Sequence, residues 1–554
     1  MRESERAPRS SAVADQAEVF SLLGDPATFG LTAPVRRIDT HGAAVFLAGG
    51  DAYKVKRAVR FPFMDFSTLE KRRAACEAEI AVNKPNAPDI YFGVMPIART
   101  ARGLSLGGPG QVVEWAVHMR RFDEEETLDR LADRQALPLE VIAKLAWVIL
   151  RSHERAPLRD GEAATSALER YLDQNDEAFA ARPDLFDPAR ARRLAADARA
   201  SLAACRDLLV ERGKAGYVRR CHGDLHLRNI ALIDGEPVLF DAVEFDDGIA
   251  TGDELYDLAF LLMDLEERGL RRAGNLVLNR YLWESDEAQL SGLAALPVFL
   301  SIRSAIRAKV IAAGLDHLHG EERDRAGAEA SRYFWFAEAF LTPDPIRLLA
   351  IGGLSGTGKS TLAAGLAPCL GRAPGAVWLR SDIERKKLFN FAETEKLPDS
   401  AYAETVNEEV YERLCRKAAL ALRAGQGVVL DAVHSRVEER ISVERVASRL
   451  GAAFSGLWLE APLPVRIDRV GHRERDASDA DVAVAAAQAS SPSGAMTWRR
   501  LDASGDSAAT FEAARALLGL PRPPDRSAER RLASNRRASS SPDRAASHSD
   551  SVGD

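Results

Sequence analysis

The sequence predicts two folded units in series: an α+β unit, then an α/β unit on a parallel sheet. Three observations carry this. An apolar run at 348–351 leads straight into Gly353-Leu-Ser355-Gly356-Thr357-Gly358-Lys359-Ser360, the G-x-x-x-x-G-K-[ST] spacing of a P-loop between a strand and a helix. Upstream, His222-Gly-Asp224 with Asn229 five residues later precedes a hairpin with an Asp234-Gly235 turn, and the hairpin ends on Asp241. Between them Thr342-Pro-Asp-Pro345 breaks a long helical pattern and marks a boundary. The organisation read from this is disorder over 1–17, a first unit at 18–341, a linker at 342–345, a second unit at 346–520 and a disordered tail over 521–554.

Composition narrows the function classes. A chain of 554 residues has room for about three to four domains, fewer if one is large. With 46% hydrophobic and 28% charged residues it reads as an ordinary globular protein. A net charge of −7 argues against a general nucleic-acid or anionic-membrane binder. The five cysteines are scattered and form no C-x-x-C pair, which fits small buried hydrophobes in a reducing cytoplasm. The polar start lacks a signal-peptide core, and the best apolar stretch, near 294–314, is broken by Arg303, Arg307 and Lys309, so no membrane span is expected.

In chain order, 35–47 and 52–58 read as strands around the turn 48–51. Lys54 and Lys56, two apart, share one face, where a lysine can hold a phosphate; two solvated edge lysines are the plain alternative. Residues 67–84 read as a helix capped by Ser67 or Thr68. Strands follow at 90–97 and 112–122, and the acidic run 123–127 opens another helix. From 137 to 214 the pattern is helical, with stripes that read as core.

The 222–241 stretch is the first constellation with chemistry. Asp224 is placed to accept a proton from a substrate hydroxyl. Asn229 and Asp241, joined by the hairpin, supply oxygen ligands suited to Mg²⁺. The second is the P-loop. Its glycines turn backbone N–H groups toward phosphates, Lys359 adds a point charge, and Ser360 offers a hydroxyl to Mg²⁺. Thr361 continues into the helix.

A second parallel strand at 376–379 delivers Asp382 to the crevice side of the sheet. It reads as the base for an acceptor hydroxyl, or as a helix cap, or as both. The strand at 427–431 ends on Asp431 in the Walker B manner, where it supports Mg²⁺. Arg469 and Arg473, four apart on one helix face, could clamp a transferring phosphate; solvated arginines are the alternative.

Residues 36–340 resemble the aminoglycoside phosphotransferase family, a branch of the protein-kinase-like fold. The resemblance rests on His222 through Asn229, Leu239-Phe-Asp241, Gly252-Asp253 and Asp257-Leu-Ala259. It implies Asp224 as catalytic base, Asn229 and Asp241 as metal ligands, and Lys54 as the nucleotide lysine paired by Glu77, with Lys56 and Glu79 as the fallback pair. Residues 346–520 resemble small P-loop kinases of the zeta-toxin, gluconate-kinase and polynucleotide-kinase type, through the P-loop, Ser381-Asp382-Ile-Glu-Arg385, Val429-Leu-Asp431 and Arg469-Val-Gly-His-Arg473. That resemblance implies lid roles for the two arginines. The whole order resembles bacterial fusions of the two domains.

The expectation is therefore a cytoplasmic phosphotransferase using ATP and Mg²⁺ at two sites, each acting on a small-molecule hydroxyl. Neither nucleic acid nor membrane is an expected partner. The competing expectations are one catalytic domain with a nucleotide-sensing partner, and a toxin-like kinase.

Overall fold

The computed structural model describes residues 15–61, 64–472, 477–489 and 494–520. The expected disorder over 1–14 and 521–554, and the role given to Arg473, lie outside these residues.

Folded structure begins before residue 18. Gln16 is buried and anchors the start of the chain. Its amide nitrogen donates to Lys56 O (2.9 Å) and to Glu114 (2.7 Å), and its Oε1 accepts from Ala58 N (2.9 Å). The helix Ala17–Gly24 follows directly.

The stretch 35–47, expected as one strand, is a hairpin of β1 (Arg36–Asp39) and β2 (Ala43–Ala48). Thr40 makes the turn: its Oγ1 accepts from Ala43 N (3.0 Å) while its N–H donates to Ala43 O (2.8 Å). β3 (Asp51–Lys56) comes next. After it, α1 (Leu69–Asn83) is capped by Thr68, whose Oγ1 accepts from Lys71 N at 3.3 Å. β4 (Tyr91–Thr100), β5 (Gly103–Leu106) and β6 (Gln111–Arg120) complete an antiparallel sheet in the order β1-β2-β3-β6-β4-β5. Phe46, Val55, Ile97 and Ala116 form its core. A buried Arg72–Glu114 pair at 2.9 Å fastens α1 to β6.

The acidic run 123–127 forms a short 3-10 turn, Glu124–Glu126, before the helix Leu128–Asp133. Asp123 caps that turn by accepting from Glu125 N. The helical part contains α2 (Leu139–Arg155), α3 (Gly161–Ala180) and α4 (Pro188–Lys214). The hairpin β7 (Ile230–Ile233) and β8 (Glu236–Leu239) follows them. Next come α5 (Glu254–Glu267), α6 (Arg271–Glu284), α7 (Leu296–Gly314) and α8 (Gly320–Leu341). Almost every residue of α5 is buried, as suits a helix at the centre of its domain.

The last part is a parallel α/β sheet. Its elements are β9 (Arg347–Gly353), α9 (Lys359–Leu366), β10 (Val377–Arg380), α10 (Ser381–Leu388), α11 (Glu404–Arg423), β11 (Val428–Asp431), β12 (Ala453–Glu460), α12 (Leu463–Gly471), α13 (Val482–Ala489), β13 (Arg499–Asp502) and α14 (Ser507–Leu518). The strand order is β10-β11-β9-β12-β13. β13 was not foreseen. It is an edge strand of four residues with one buried side chain, so it carries no apolar run. No described helix is long and apolar enough to cross a membrane.

The two domains meet where α6 lies along β10. β10 is an edge strand whose outer backbone groups need partners, and α6 of the preceding domain supplies them from side chains. Asn279 Oδ1 accepts from Trp378 N (2.6 Å), while its Nδ2 and that of Asn275 donate to Ala376 O (3.1 and 3.0 Å). Trp283 Nε1 donates to Trp378 O (2.7 Å). Arg271 reaches past the strand to Pro368 O (2.8 Å) and Gly371 O (2.9 Å).

Replacing Asn279 with alanine leaves the buried Trp378 N–H without its acceptor. The expected cost is about 1–3 kcal/mol in urea unfolding. Arg416→Gln, which removes an exposed bridge to Glu287, is expected to cost under about 1 kcal/mol. Equal effects from the two would contradict this account of the seam.

Candidate functional sites

The first site forms where β3, α1 and the end of the β7–β8 hairpin converge. Lys54 Nζ lies 2.8 Å from Glu79 Oε1 and 2.7 Å from Asp241 Oδ1. Lys56 Nζ lies 2.6 Å from Glu79 Oε2 and also pairs with Glu244. The partner of Lys54 is thus Glu79, and the expected Glu77 is corrected. Two helical positions are separated by about 200° around the axis, so 77 and 79 face opposite ways. Glu77 is on the exposed face, bridging Arg73 at 2.8 Å, while Glu79 is fully buried.

Electrostatics keep this cluster ionised. Burial pushes the Lys54 ammonium down, but the charges of Asp241, Glu79 and Glu244 outweigh it and hold the group well above its usual range. Burial likewise pushes Asp241 up, and Lys54 more than offsets that. Asp241 sits at φ +58°, its N–H donating to Tyr91 OH (3.1 Å), and the next residue donates to Asn83 Oδ1 (2.8 Å). With this backbone kink the carboxylate meets Lys54.

Asp257 in α5 holds the loop that carries Asp224. Its carboxylate accepts from Gly223 N (2.8 Å) and His222 N (3.3 Å), and it is backed by His153 at 3.2 Å and Arg303 at 3.9 Å. Gly223 has φ +83°, and a Cβ there would meet Ala250 Cα at 3.0 Å, so glycine is required. Asp224 Oδ2 accepts from Asn229 Nδ2 (2.9 Å) and lies 3.3 Å from His226 Nε2. Burial pushes Asp224 up, but the His226 hydrogen bond and the charges of His226, His222 and Arg307 hold it below the usual carboxylate range. Asp224 is therefore ionised and competent to accept a proton. His226 also borders a cleft of about 750 Å³ shared with Phe260, Arg307 and Tyr333, which is room for a small acceptor.

The donor set fits Mg²⁺. Asn229 spends its NH₂ on Asp224, and Asp241 spends Oδ1 on Lys54, which leaves oxygen atoms on both for a hard cation.

The second site is the P-loop at the C-terminal end of β9. Gly353, Gly356 and Gly358 have φ of +146°, +85° and +89°. A Cβ on Gly356 would come within 2.5 Å of Arg466 O, so the loop closes only around glycine there. Thr357 Oγ1 donates to Leu354 O (2.8 Å), fixing the turn, and Lys359 Nζ donates to the same carbonyl at 3.2 Å. Ser355 N donates to Gln488 Oε1 of α13 (2.8 Å). Lys359, Ser360, Thr361, Asp382, Asp431 and Arg469 line one cleft of about 670 Å³.

Asp382 lies in the first turn of α10, whose N-cap is Arg380, so the cap reading is replaced by a cleft-lining carboxylate. Asp431 is buried and its Oδ2 makes no hydrogen bond, only an ion pair with Arg380 at 3.6 Å; it lines the same cleft as Ser360, and the pair of oxygens suits a metal ion. Arg469 lines the cleft, but its guanidinium donates to Ala503 O (2.7 Å) and Gly505 O (2.6 Å). In this structure it ties α12 to the loop after β13 instead of reaching over the P-loop. Sequence reasoning missed Arg380, Glu393 and Gln488. Only Arg380, one residue beyond a strand, carried any local signal.

A model of the phosphotransferase enzyme family matches residues 88–293, and an AAA domain model matches 348–492. An uncharacterized protein of Mycobacterium tuberculosis is 30% identical over 476 residues, covering 84% of this chain and 92% of its own. Among solved structures, a choline/ethanolamine kinase family protein from Mesorhizobium loti is 14% identical, spans 59% of this chain and 95% of its own, and has a TM-score of 0.38. A gluconokinase from Sinorhizobium meliloti 1021 is 18% identical, spans 36% of this chain and 100% of its own, and has a TM-score of 0.24.

The Glu79 carboxyl is pushed up by burial and pulled further down by Lys54 and Lys56, so its folded value is depressed. A depressed carboxyl stabilises the fold above its unfolded value of about 4.3, and the contribution is lost as pH falls through the folded value. Glu79→Gln is therefore expected to cost about 3–5 kcal/mol at pH 7, because it leaves two buried lysines undercompensated. The difference from wild type shrinks below about pH 4. Glu77→Gln changes little at either pH. Urea unfolding at both pH values checks this.

Proposed function

Because this chain belongs to the family that joins a phosphotransferase enzyme domain to an AAA P-loop domain, and is a kinase, we propose that both domains use ATP and Mg²⁺ to phosphorylate hydroxyl groups of small molecules. The observation that carries the reading is the repetition of one chemical set on two unrelated folds. Each site holds a lysine, an oxygen-only metal set and a carboxylate, Asp382 lining its cleft and Asp224 paired with His226 at the border of the other. A sensing domain without transfer chemistry has no need of the third member.

In the first domain Lys54, fixed by Glu79, meets the nucleotide phosphates. Asn229 and Asp241 hold Mg²⁺, which neutralises phosphate charge when bound. Asp224, kept ionised by His226, accepts the proton of the acceptor hydroxyl, and its rigid loop sets the angle of attack. In the second domain the N–H groups of the 353–361 loop and Lys359 hold the phosphates. Ser360 and Asp431 hold Mg²⁺, and Asp382 takes the acceptor proton. Catalysis in both rests on positioning and charge neutralisation.

We assign the activity to the cytoplasm, consistent with five free cysteines. The acceptors are small molecules, in keeping with the two clefts and with the acidic net charge of −7, which does not favour nucleic acid.

The test is ATP turnover by wild type, Asp224→Ala and Lys359→Ala against sugars, sugar acids, amino alcohols and aminoglycosides. Each variant is expected to lose at least about a hundredfold on a different acceptor. If Lys359→Ala abolishes all turnover while Asp224→Ala changes none, the first domain is not a phosphotransferase.

A further inference from the structure

A buried cation stands beside the P-loop serine and the Walker B aspartate. Arg380 is buried at the end of β10. Its guanidinium lies 3.5 Å from Ser360 Oγ and 3.6 Å from Asp431 Oδ2, the two oxygens assigned to Mg²⁺ above. On its other side is Glu393, at 3.7 Å. Glu393 in turn forms an ion pair with Arg280, which belongs to α6 of the other domain. A chain of alternating charges thus runs from α6 to the metal position: Arg280, Glu393, Arg380, Asp431.

A divalent cation and a guanidinium cannot both occupy the space beside Asp431 and Ser360, because like charges repel strongly in a buried site. When Mg²⁺ enters, Arg380 must yield Asp431, and Glu393 is the carboxylate placed to take it. Glu393 keeps that place through Arg280.

We propose that Arg280 is a positioning residue for the P-loop site, supplied by the kinase-like domain. Through Glu393 it draws Arg380 away from Asp431 and Ser360 so that Mg²⁺ can bind. The P-loop site is thereby incomplete without its neighbour, which gives the fusion a chemical reason. The inference rests on the reading that the P-loop binds Mg·ATP. It does not depend on the identity of the acceptor.

The structure also supplies a reporter. The Arg380 guanidinium carbon lies 5.1 Å from the Trp378 ring and 5.8 Å from that of Trp283, and these two rings are 5.1 Å apart. Withdrawal of Arg380 changes the surroundings of both indoles, so tryptophan emission reads metal entry directly.

The experiment uses the full chain carrying Asp241→Asn to silence the first site. Mg²⁺ is titrated at fixed ATP while tryptophan fluorescence is followed. Arg280→Gln and Glu393→Gln are each expected to raise the Mg²⁺ midpoint about fivefold or more. Arg280→Lys restores most of the loss. Arg380→Gln removes the source of the tryptophan signal, so its Mg²⁺ midpoint is read by calorimetry; it is lower than wild type, and adding Arg280→Gln to it has no further effect, since the bridge acts through Arg380 alone. Arg416→Gln, which breaks the separate interdomain bridge to Glu287, keeps the midpoint within about twofold. A midpoint unmoved by Arg280→Gln, or moved equally with and without Arg380, overturns the proposal and leaves the nucleotide reading intact. A wild-type signal that is absent, or that survives Lys359→Ala, overturns both.

Discussion

A parallel sheet cannot leave a buried edge strand unpaired, and that constraint organises the joint between the two domains. The outer edge of β10 offers backbone groups at Ala376 and Trp378 with no neighbouring strand to meet them. Two asparagines and an indole on α6 take the place of that strand. Side chains so placed can satisfy the edge only if the helix is held at a fixed distance and angle. The same strand ends in Arg380 and leads into Asp382, so the helix that seals the edge also fixes one wall of the P-loop cleft. Domain arrangement and site geometry are consequences of one set of hydrogen bonds.

The first site shows a different use of the same economy. Glu79 is a single buried carboxylate serving two lysines that point the same way from β3. A buried charge is tolerated when its partners are fixed, and here they are fixed from opposite ends of the domain. Lys54 and Asp241 are 187 residues apart in sequence and 2.7 Å apart in space. Asp257 does the corresponding work for the loop, holding backbone N–H groups so that Asp224 and Asn229 meet each other and His226.

What was legible in the sequence was local. The P-loop and the 222–241 stretch are contiguous, and their glycines, turns and oxygen ligands lie within a few residues of one another, so spacing alone assigned them. The strands of the second sheet announced themselves as apolar runs because parallel strands are buried on both faces. What failed was phase and distance. Glu77 and Glu79 look equivalent in a string of letters, and only the face of α1 turned to β3 distinguishes them. Residues 35–47 held a turn at Thr40, flanked by Asp39 and Gly42, that did not stand out because a β-branched residue sat between two strand-like runs. Gln16 looked like part of a polar tail, since its partners are 40 and 98 residues away. Arg469 has the spacing of a clamp but meets the carbonyls of a loop after a strand the sequence did not reveal. Arg280 and Glu393 belong to different domains, and no periodicity links them.

The central claim is that one chain carries two Mg·ATP sites, and calorimetric titration with a non-hydrolysable ATP analogue in the presence of Mg²⁺ tests it most directly. The account predicts two equivalents bound per chain in wild type, one in Lys54→Ala, one in Lys359→Ala and none in the double variant. A wild-type stoichiometry of one, abolished by a single one of these substitutions and untouched by the other, would contradict it.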